Sequence, residues 1–307
     1  RRIELAKQVG IVKNHSDDNT VYRPDREANI LSRLSEINKG PLETGQVQTI
    51  FREIISISRA AESLPSVAFL GPEGTYSEEA VNKKFGGHVN KRSSETIEGV
   101  FQRVGDKISS YGIVPIENSS EGTVNITLDC LSSSPLKICG EVELKINHNL
   151  LGINKEIPKE NFEIQAHEQT LAQCRIWLDT HYPSVKRIPV SSNAQAAANA
   201  KRSKRIYAIG GMLAAKLYDL DILKSNIQDY EENTTRFITV GNDEVEQSGK
   251  DKTSIVITTK NTPGALYNVL KPINKEGLNL THLTYRPSKT DKWNYSFFLD
   301  FEGHKND

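Results

Sequence analysis

Apolar positions along the 307 residues follow three successive rhythms. Through residues 1–64 they recur at helical spacing. Pro24 opens a helix predicted through Lys39, with Ile30, Leu31, Leu34 and Ile37 on one stripe and Gly40 as its stop. A longer helix carries Val47, Ile50, Phe51, Ile54 and Ile55 at the same spacing. Leu64-Pro65 breaks this pattern. From Val67 the short apolar runs VAFL, YGIVPI, EIQAH, KRIPV, RIYAIG and RFITV alternate with helical stretches, the rhythm of a sheet covered by helices. A polar stretch, NDEVEQSGKDK at 242–252, leads to a third unit. There TSIVITT, PGALYNVLKPINKEG, LNLTHLTYRP and YSFFLDF predict strand, helix, strand, strand. The expected chain is multi-domain: an all-α unit at 1–64, an α/β unit at 65–241, a linker at 242–252 and an α+β unit at 253–307.

Composition narrows the function classes. Lys+Arg and Asp+Glu are equal at 39 each, and no long basic run occurs, which disfavours nucleic acid as a partner. No apolar stretch approaches the roughly 20 residues of a membrane helix. Cys130, Cys139 and Cys174 lack metal-ligand spacing and read as thiols of a reducing, cytoplasmic compartment; no metal or cofactor is expected. The chain opens on Arg1-Arg2 inside a helical pattern and stops after βαββ, so a fragment at both ends is expected. A helical segment as short as 1–64 buries little alone and should dimerise or pack on the remainder.

Several side chains stand out as candidates for chemistry. Arg2 and Lys13 lie about three turns apart on one helix, and Arg26 and Glu27 occupy the first turn of the next. Ser58 and Glu62 are four apart and share a face. A generic helical segment would leave such groups solvated or ion-paired; an arginine at a helix start is unfavourable unless an anion is bound. Farther on, GIVPIENSSEGTV places Glu117-Asn118-Ser119-Ser120-Glu121 between a strand and a helix. Its serine hydroxyls and backbone N–H groups suit a carboxylate, while by composition a helix cap with a satisfied turn is the commoner use of such a loop. In EENTTRFITV, Thr234-Thr235-Arg236 enters a buried strand read as beginning at Phe237, a place for a proton donor or a plain loop end.

The stretches RRIELAKQVGIVK, RPDREANILSRL and IFREIISISRAAE together resemble the all-helical chorismate mutase family. The resemblance implies rearrangement of chorismate to prephenate, with Arg2 and Arg26 on carboxylate and hydroxyl groups and Lys13 on the ether oxygen. Glu27 would hold the ring hydroxyl, and Ser58 would line the pocket. Glu62 stands where the family has glutamine or glutamate, and it donates to the ether oxygen only when protonated. Tyr22 stands where some members carry an acid.

FLGPEGTYS, VPIENSSEG, AHEQTLAQC and NTTRF occur in the order found in prephenate dehydratases. That resemblance implies a two-lobed fold like type II periplasmic binding proteins, with prephenate in the cleft losing carbon dioxide and its ring hydroxyl. Thr235 matches the family's proposed donor and Arg236 the group that organises negative charge. Asn118, Ser119, Ser120 and Gln173 match substrate positions. His148 and His167 also lie near these motifs but are not assigned as the acid. TPGALYNVL and LTHLTYRPS resemble the ACT regulatory domain (βαββαβ), implying a phenylalanine site that uses Gly264, Ala265, Leu266 and Arg286, with Thr284-Tyr285 replacing Glu-Ser. The combined expectation is a homo-oligomeric (dimeric or tetrameric) bifunctional enzyme. Two rivals are a dehydratase whose helices only dimerise it, and an amino-acid-binding sensor without catalysis.

Overall fold

The structure, a computed structural model, describes residues 1–13, 22–158, 160–288 and 294–307. The first unit consists of helices α1 (Arg2–Lys13), α2 (Pro24–Ile37) and α3 (Thr44–Glu62). α2 starts at the predicted proline and ends two residues earlier than expected, with Asn38 bonding back to Leu34 O. α3 begins in a reciprocal cap between Glu43 and Gln46. Tyr22 leaves this unit altogether: its ring packs with Phe85 and Tyr111 in the core of the second unit.

The second unit has two lobes. The first lobe comprises β1 (Ser66–Leu70), α4 (Tyr76–Phe85), β2 (Asn90–Ser94), α5 (Ile97–Gly105), β3 (Tyr111–Asn118), β4 (Gly122–Thr123), α6 (Asn125–Ser133) and β5 (Lys137–Lys145). The second comprises β6 (Asn149–Gly152), β7 (Glu163–His167), α7 (Glu168–Gln173), α8 (Arg175–His181), β8 (Lys186–Val190), α9 (Asn193–Arg202), β9 (Ile206–Gly210), α10 (Met212–Leu217) and β10 (Asp221–Lys224). The chain then returns to the first lobe as β11 (Thr234–Gly241). Strand order is β2-β1-β3-β11-β5 in one sheet, with β4 paired to β3, and β10-β6-β9-β7-β8 in the other. The apolar runs read from sequence are central strands, except KRIPV, which forms the partly exposed edge strand β8. β2, NKRSS, is a polar edge strand with no such signal.

The chain crosses between lobes twice, at 146–148 and 225–233, and the crossings are tied together. Ile227 N donates to His148 O (2.8 Å), and Ile146 N donates to Asn233 O (2.7 Å). The third unit follows as β12 (Lys252–Thr259), α11 (Ala265–Lys275), β13 (Leu280–Pro287) and β14 (Tyr295–Glu302), an antiparallel sheet ordered β12-β14-β13. Phe298 of β14 is buried among Ile238, Val240, Val114 and Ile116, so this sheet is seated on the first lobe.

Candidate active site

Thr235 lies inside β11 rather than before it, because the strand begins at Thr234. It is 8% exposed, at the seam where the lobes and their crossings meet. Its Oγ1 accepts a hydrogen bond from Asn118 Nδ2 (2.8 Å). Asn118 faces Thr235 because β3 carries a bulge. β11 pairs Thr235 with Asn118, Arg236 with Glu117, then Phe237 with Pro115, so Ile116 is an extra residue. Strand side chains alternate, so without that extra residue Asn118 would point to the opposite face.

The orientation of the Asn118 amide is forced by the backbone. Its Oδ1 accepts from Ser120 N (3.0 Å) and Glu121 N (3.1 Å). A flipped amide would aim N–H groups at N–H groups. Both Nδ2 protons are therefore directed at oxygens, Thr235 Oγ1 and Asn233 Oδ1 (2.9 Å). Asn233 Nδ2 in turn donates to Gln173 Oε1 (3.1 Å), and Gln173 Nε2 donates to Glu121 Oε1 (3.3 Å) across the lobe seam. His148 Nε2 lies 2.9 Å from the same Gln173 Oε1, an acceptor only, so this nitrogen carries the proton. The other ring nitrogen faces the Tyr76 hydroxyl at 2.9 Å. Burial holds the His148 pKa below its ordinary value, opposed by the Gln173 bond, and burial pushes the Tyr76 phenol well above its own. Along the polar groups from Tyr76 to Thr235, Gln173 Oε1 accepts from both His148 and Asn233, and Asn118 donates to both Asn233 and Thr235. The Tyr76 hydroxyl also donates to Asn147 O (2.8 Å). At the far end Thr235 Oγ1 accepts from Asn118, and among the described residues no protein acceptor takes the Thr235 proton.

The geometry gives the predicted site residues partners within the chain. Asn118 is hydrogen-bonded to Thr235 and Asn233, and Gln173 to Asn233, His148 and Glu121. Ser119 Oγ donates to Glu232 O (2.9 Å) and accepts from Thr234 N (3.0 Å), which ties the loop to β11. Ser120 is exposed at the rim. Arg236 points away from the seam: its guanidinium is hydrogen-bonded to Asp300 of β14, with Glu141 and Glu117 beside it. Alternation along β11 requires this once the strand includes residue 235. Asn233, His148, Tyr76 and Glu121 were missed as members of the site; only their nearness to the quoted motifs hinted at them.

In the helical unit, Lys13 Nζ and Glu62 Oε1 meet at 2.5 Å. A glycine makes this possible: a Cβ on Gly10 would stand 2.5 Å from Glu62 O, so only glycine lets α1 approach α3 this closely. Ser58 Oγ donates to Ile54 O (2.8 Å) on its own helix. Arg2 and Arg26 are exposed, and Arg26 borders a shallow hollow of about 350 Å³ with Arg23, Asn29 and Arg33. Glu27 takes a partner different from the one the resemblance implies. It binds Arg59 Nη1 (2.6 Å), while Arg59 Nη2 donates to Phe85 O (2.6 Å) and the guanidinium lies 5.2 Å from the Tyr22 ring centroid. Burial raises the Glu27 pKa and Arg59 opposes the rise, so this pair belongs to the join between the first two units.

In the third unit Gly264 has φ +80° and precedes α11, with Ala265 and Leu266 in its first turn. Arg286 is turned to the second unit, where Nη2 donates to Asp129 Oδ2 of α6 (2.9 Å).

Three kinds of similarity bear on this geometry. The prephenate dehydratase family matches residues 67–245, and chorismate mutase type II matches residues 1–63. A bifunctional chorismate mutase/prephenate dehydratase of Pseudomonas aeruginosa is 46% identical over 308 residues, covering 99% of this chain and 84% of that protein. One of Neisseria gonorrhoeae is 40% identical, covering 100% of this chain and 84% of its own. A prephenate dehydratase of Arthrobacter aurescens, solved in complex with L-Phe, superposes with a TM-score of 0.70 at 30% identity, covering 78% of this chain and 80% of that one.

Proposed function

Because the chain belongs to the family of bifunctional chorismate mutase/prephenate dehydratases, we propose roles for its own residues in the two reactions, chorismate to prephenate and prephenate to phenylpyruvate. In the second reaction the ring hydroxyl leaves poorly until a proton or strong hydrogen bond reaches it. Thr235 supplies that hydrogen bond. The reading rests on one observation: Thr235 Oγ1 accepts from Asn118 while no described residue accepts its proton, which leaves that proton for a ligand at the lobe seam. As carbon dioxide and the hydroxyl depart, aromatisation drives the step, and a prealigned donor avoids reorganisation as charge moves. Ser120, at the rim, meets the substrate; Asn118, Asn233, Gln173 and His148 keep the donor aimed.

In the first reaction Lys13 donates to the ether oxygen beside Glu62, and Arg2, Arg26 and Ser58 hold the dianion. Glu27 joins them only when its bond to Arg59 opens. The enzyme is a cytoplasmic homo-oligomer; the exposed apolar side chains Ile3, Leu5, Val9, Ile11 and Val12 on α1 support the association. The third unit is an ACT-type module (residues 253–307) that lowers turnover when phenylalanine binds near Gly264, Ala265 and Leu266. The L-Phe complex of the Arthrobacter aurescens relative supports that ligand class.

The decisive variant is Thr235→Ala in the full chain, followed separately for prephenate and phenylpyruvate. Dehydratase kcat is expected to fall about a thousandfold, within the range for a positioned proton donor, with mutase activity unchanged. Thr235→Ser, which keeps a hydroxyl, should retain a measurable part. Near-normal phenylpyruvate formation by Thr235→Ala would end this reading.

A further inference from the structure

The residues beside the Asn118–Thr235 pair form a second construction on the opposite face of the same two strands. Arg236 follows Thr235 on β11, and Glu117 precedes Asn118 on β3; the bulge that brings Asn118 to Thr235 also brings Glu117 to Arg236. The Arg236 side chain is 12% exposed and sits among three carboxylates. Asp300 of β14 is hydrogen-bonded to it, Glu141 Oε2 of β5 is 3.2 Å from Nε, and Glu117 Oε2 is 3.8 Å from Nη1. His282 Nδ1 of β13 lies 3.5 Å from Glu117 Oε2, and Lys252 Nζ of β12 lies 2.8 Å from Glu141 Oε1. Three neighbouring strands of the first lobe, β3, β11 and β5, each contribute one charged group. The third sheet adds the Lys252 ammonium, the His282 imidazole and the Asp300 carboxylate, one from each strand.

Stability alone is a weak reason for such a cluster, since a well-packed apolar seam commonly does as well or better. What charged groups add is direction: a guanidinium binds in fixed orientations, so the cluster defines where the third sheet sits against β3 and β11. Two residues before Asp300, Phe298 is buried against Ile238 and Val240, which ties the polar contact to a packed one. The Asn118–Thr235 pair lies one residue away on both strands.

We propose that Arg236, Glu117 and Asp300 are positioning residues for the dehydratase, transmitting the seating of the third sheet to the Asn118–Thr235 hydrogen bond. Arg236 on this reading never meets prephenate; it acts through the strand it shares with Thr235. The inference rests on Thr235 as the donor. It adds that dehydratase turnover depends on a contact made by the far unit, while mutase turnover does not.

The test is a double-mutant cycle in the full chain, with dehydratase kcat and KM measured and mutase activity as the internal control. A misplacement of about 1 Å can cost about a hundredfold in rate. Asp300→Asn is therefore expected to lower dehydratase kcat at least about tenfold, with KM changed less than about twofold. Asp300→Glu should recover most of the loss. Arg236→Gln should show the same split, and combining it with Asp300→Asn should add little. Should Asp300→Asn fail to fold, seen as loss of mutase activity too, Lys252→Gln at the cluster rim is expected to lower dehydratase kcat about threefold.

Unchanged kcat in the folded Asp300→Asn or Lys252→Gln protein overturns the proposal. So does an increase in KM on Arg236→Gln that is equal in both Asp300 backgrounds, since that marks direct contact with substrate. Thr235→Ala separates the two failures. If it is inactive while the Asp300 variants are normal, only the clamp is wrong; if it remains active, the donor assignment itself is wrong.

Discussion

The helical unit and the two-lobed unit bury different things. In the lobes, the strands read from apolar runs close into complete cores, and the polar groups at the seam are held by partners within the chain, the Thr235 proton excepted. In the helical unit, α1 keeps Ile3 at 46% and Val12 at 69% exposed, while α3 buries Ser56 and Arg59 against the second unit. A site whose donors are aimed by matched neighbours has its orientation dictated by the surrounding backbone. One built on the Lys13–Glu62 ion pair, with Arg2 and Arg26 exposed, depends on whatever covers it. The lobe seam is therefore specified from within, and the helical site is specified by its neighbours.

The join between these regions should give the largest effect. Arg59→Met removes a buried partner and leaves the Glu27 carboxyl in place, which is expected to cost about 3 kcal/mol of stability at neutral pH. Without Arg59, the already raised Glu27 pKa rises further above its unfolded value near 4.5. A carboxyl shifted that way loses stability as pH rises and regains it as pH falls toward the unfolded value. The denaturant midpoint of the variant should therefore lie nearer wild type at pH 5 than at pH 7. A deficit independent of pH would contradict the role given to burial of Glu27.

Asn118→Asp sharpens the contrast within the lobe seam. A carboxylate has no N–H to give Thr235 and takes its proton instead, so dehydratase kcat should drop about a hundredfold, about 2.7 kcal/mol. Substrate KM should change little, because Asn118 holds the donor and not the ligand. A rise in KM with normal kcat would return Asn118 to substrate binding.

Smaller and opposite in address, Gly10→Ala would force α1 away from α3, since its Cβ would stand 2.5 Å from Glu62 O. Mutase activity should fall roughly tenfold through the displaced Lys13, with phenylpyruvate formation from added prephenate unchanged. Equal loss of both activities would show that the helical unit supports the lobes, against the independence argued above. The mildest change is Glu62→Gln. The amide keeps a hydrogen-bonding oxygen for Lys13 but removes the ion pair that orients it, so mutase kcat should fall about threefold with phenylpyruvate formation unchanged. Unaltered mutase turnover would remove Glu62 from the reaction.

Parts of this architecture were legible in the chain because they are local. Pro24 and the stripe from Ile30 to Ile37 marked α2, and VAFL or EIQAH, apolar and short, marked central strands. The motif around Thr235 was legible as well. Its neighbour was misplaced for a specific reason: starting the strand at Phe237 left 235 and 236 in a loop, where two adjacent side chains can serve one ligand. Once β11 starts at Thr234, period-two alternation sends Arg236 to the other face. Polar β2 carried no apolar signal to read, and β6 and β10 are only four residues long.

Residue periodicity and turn chemistry determined the three units, most of their elements and the stretches that carry the chemistry, since those preferences act over a few residues. Which groups face one another was decided only by tertiary structure. An extra residue at Ile116 swings Asn118 to Thr235, two chain crossings bring His148 and Asn233 to Gln173, and a distant sheet brings Asp300 to Arg236. Hydrogen bonds and ion pairs are short-ranged and directional, so their partners exist only after strands distant in sequence have been set in register.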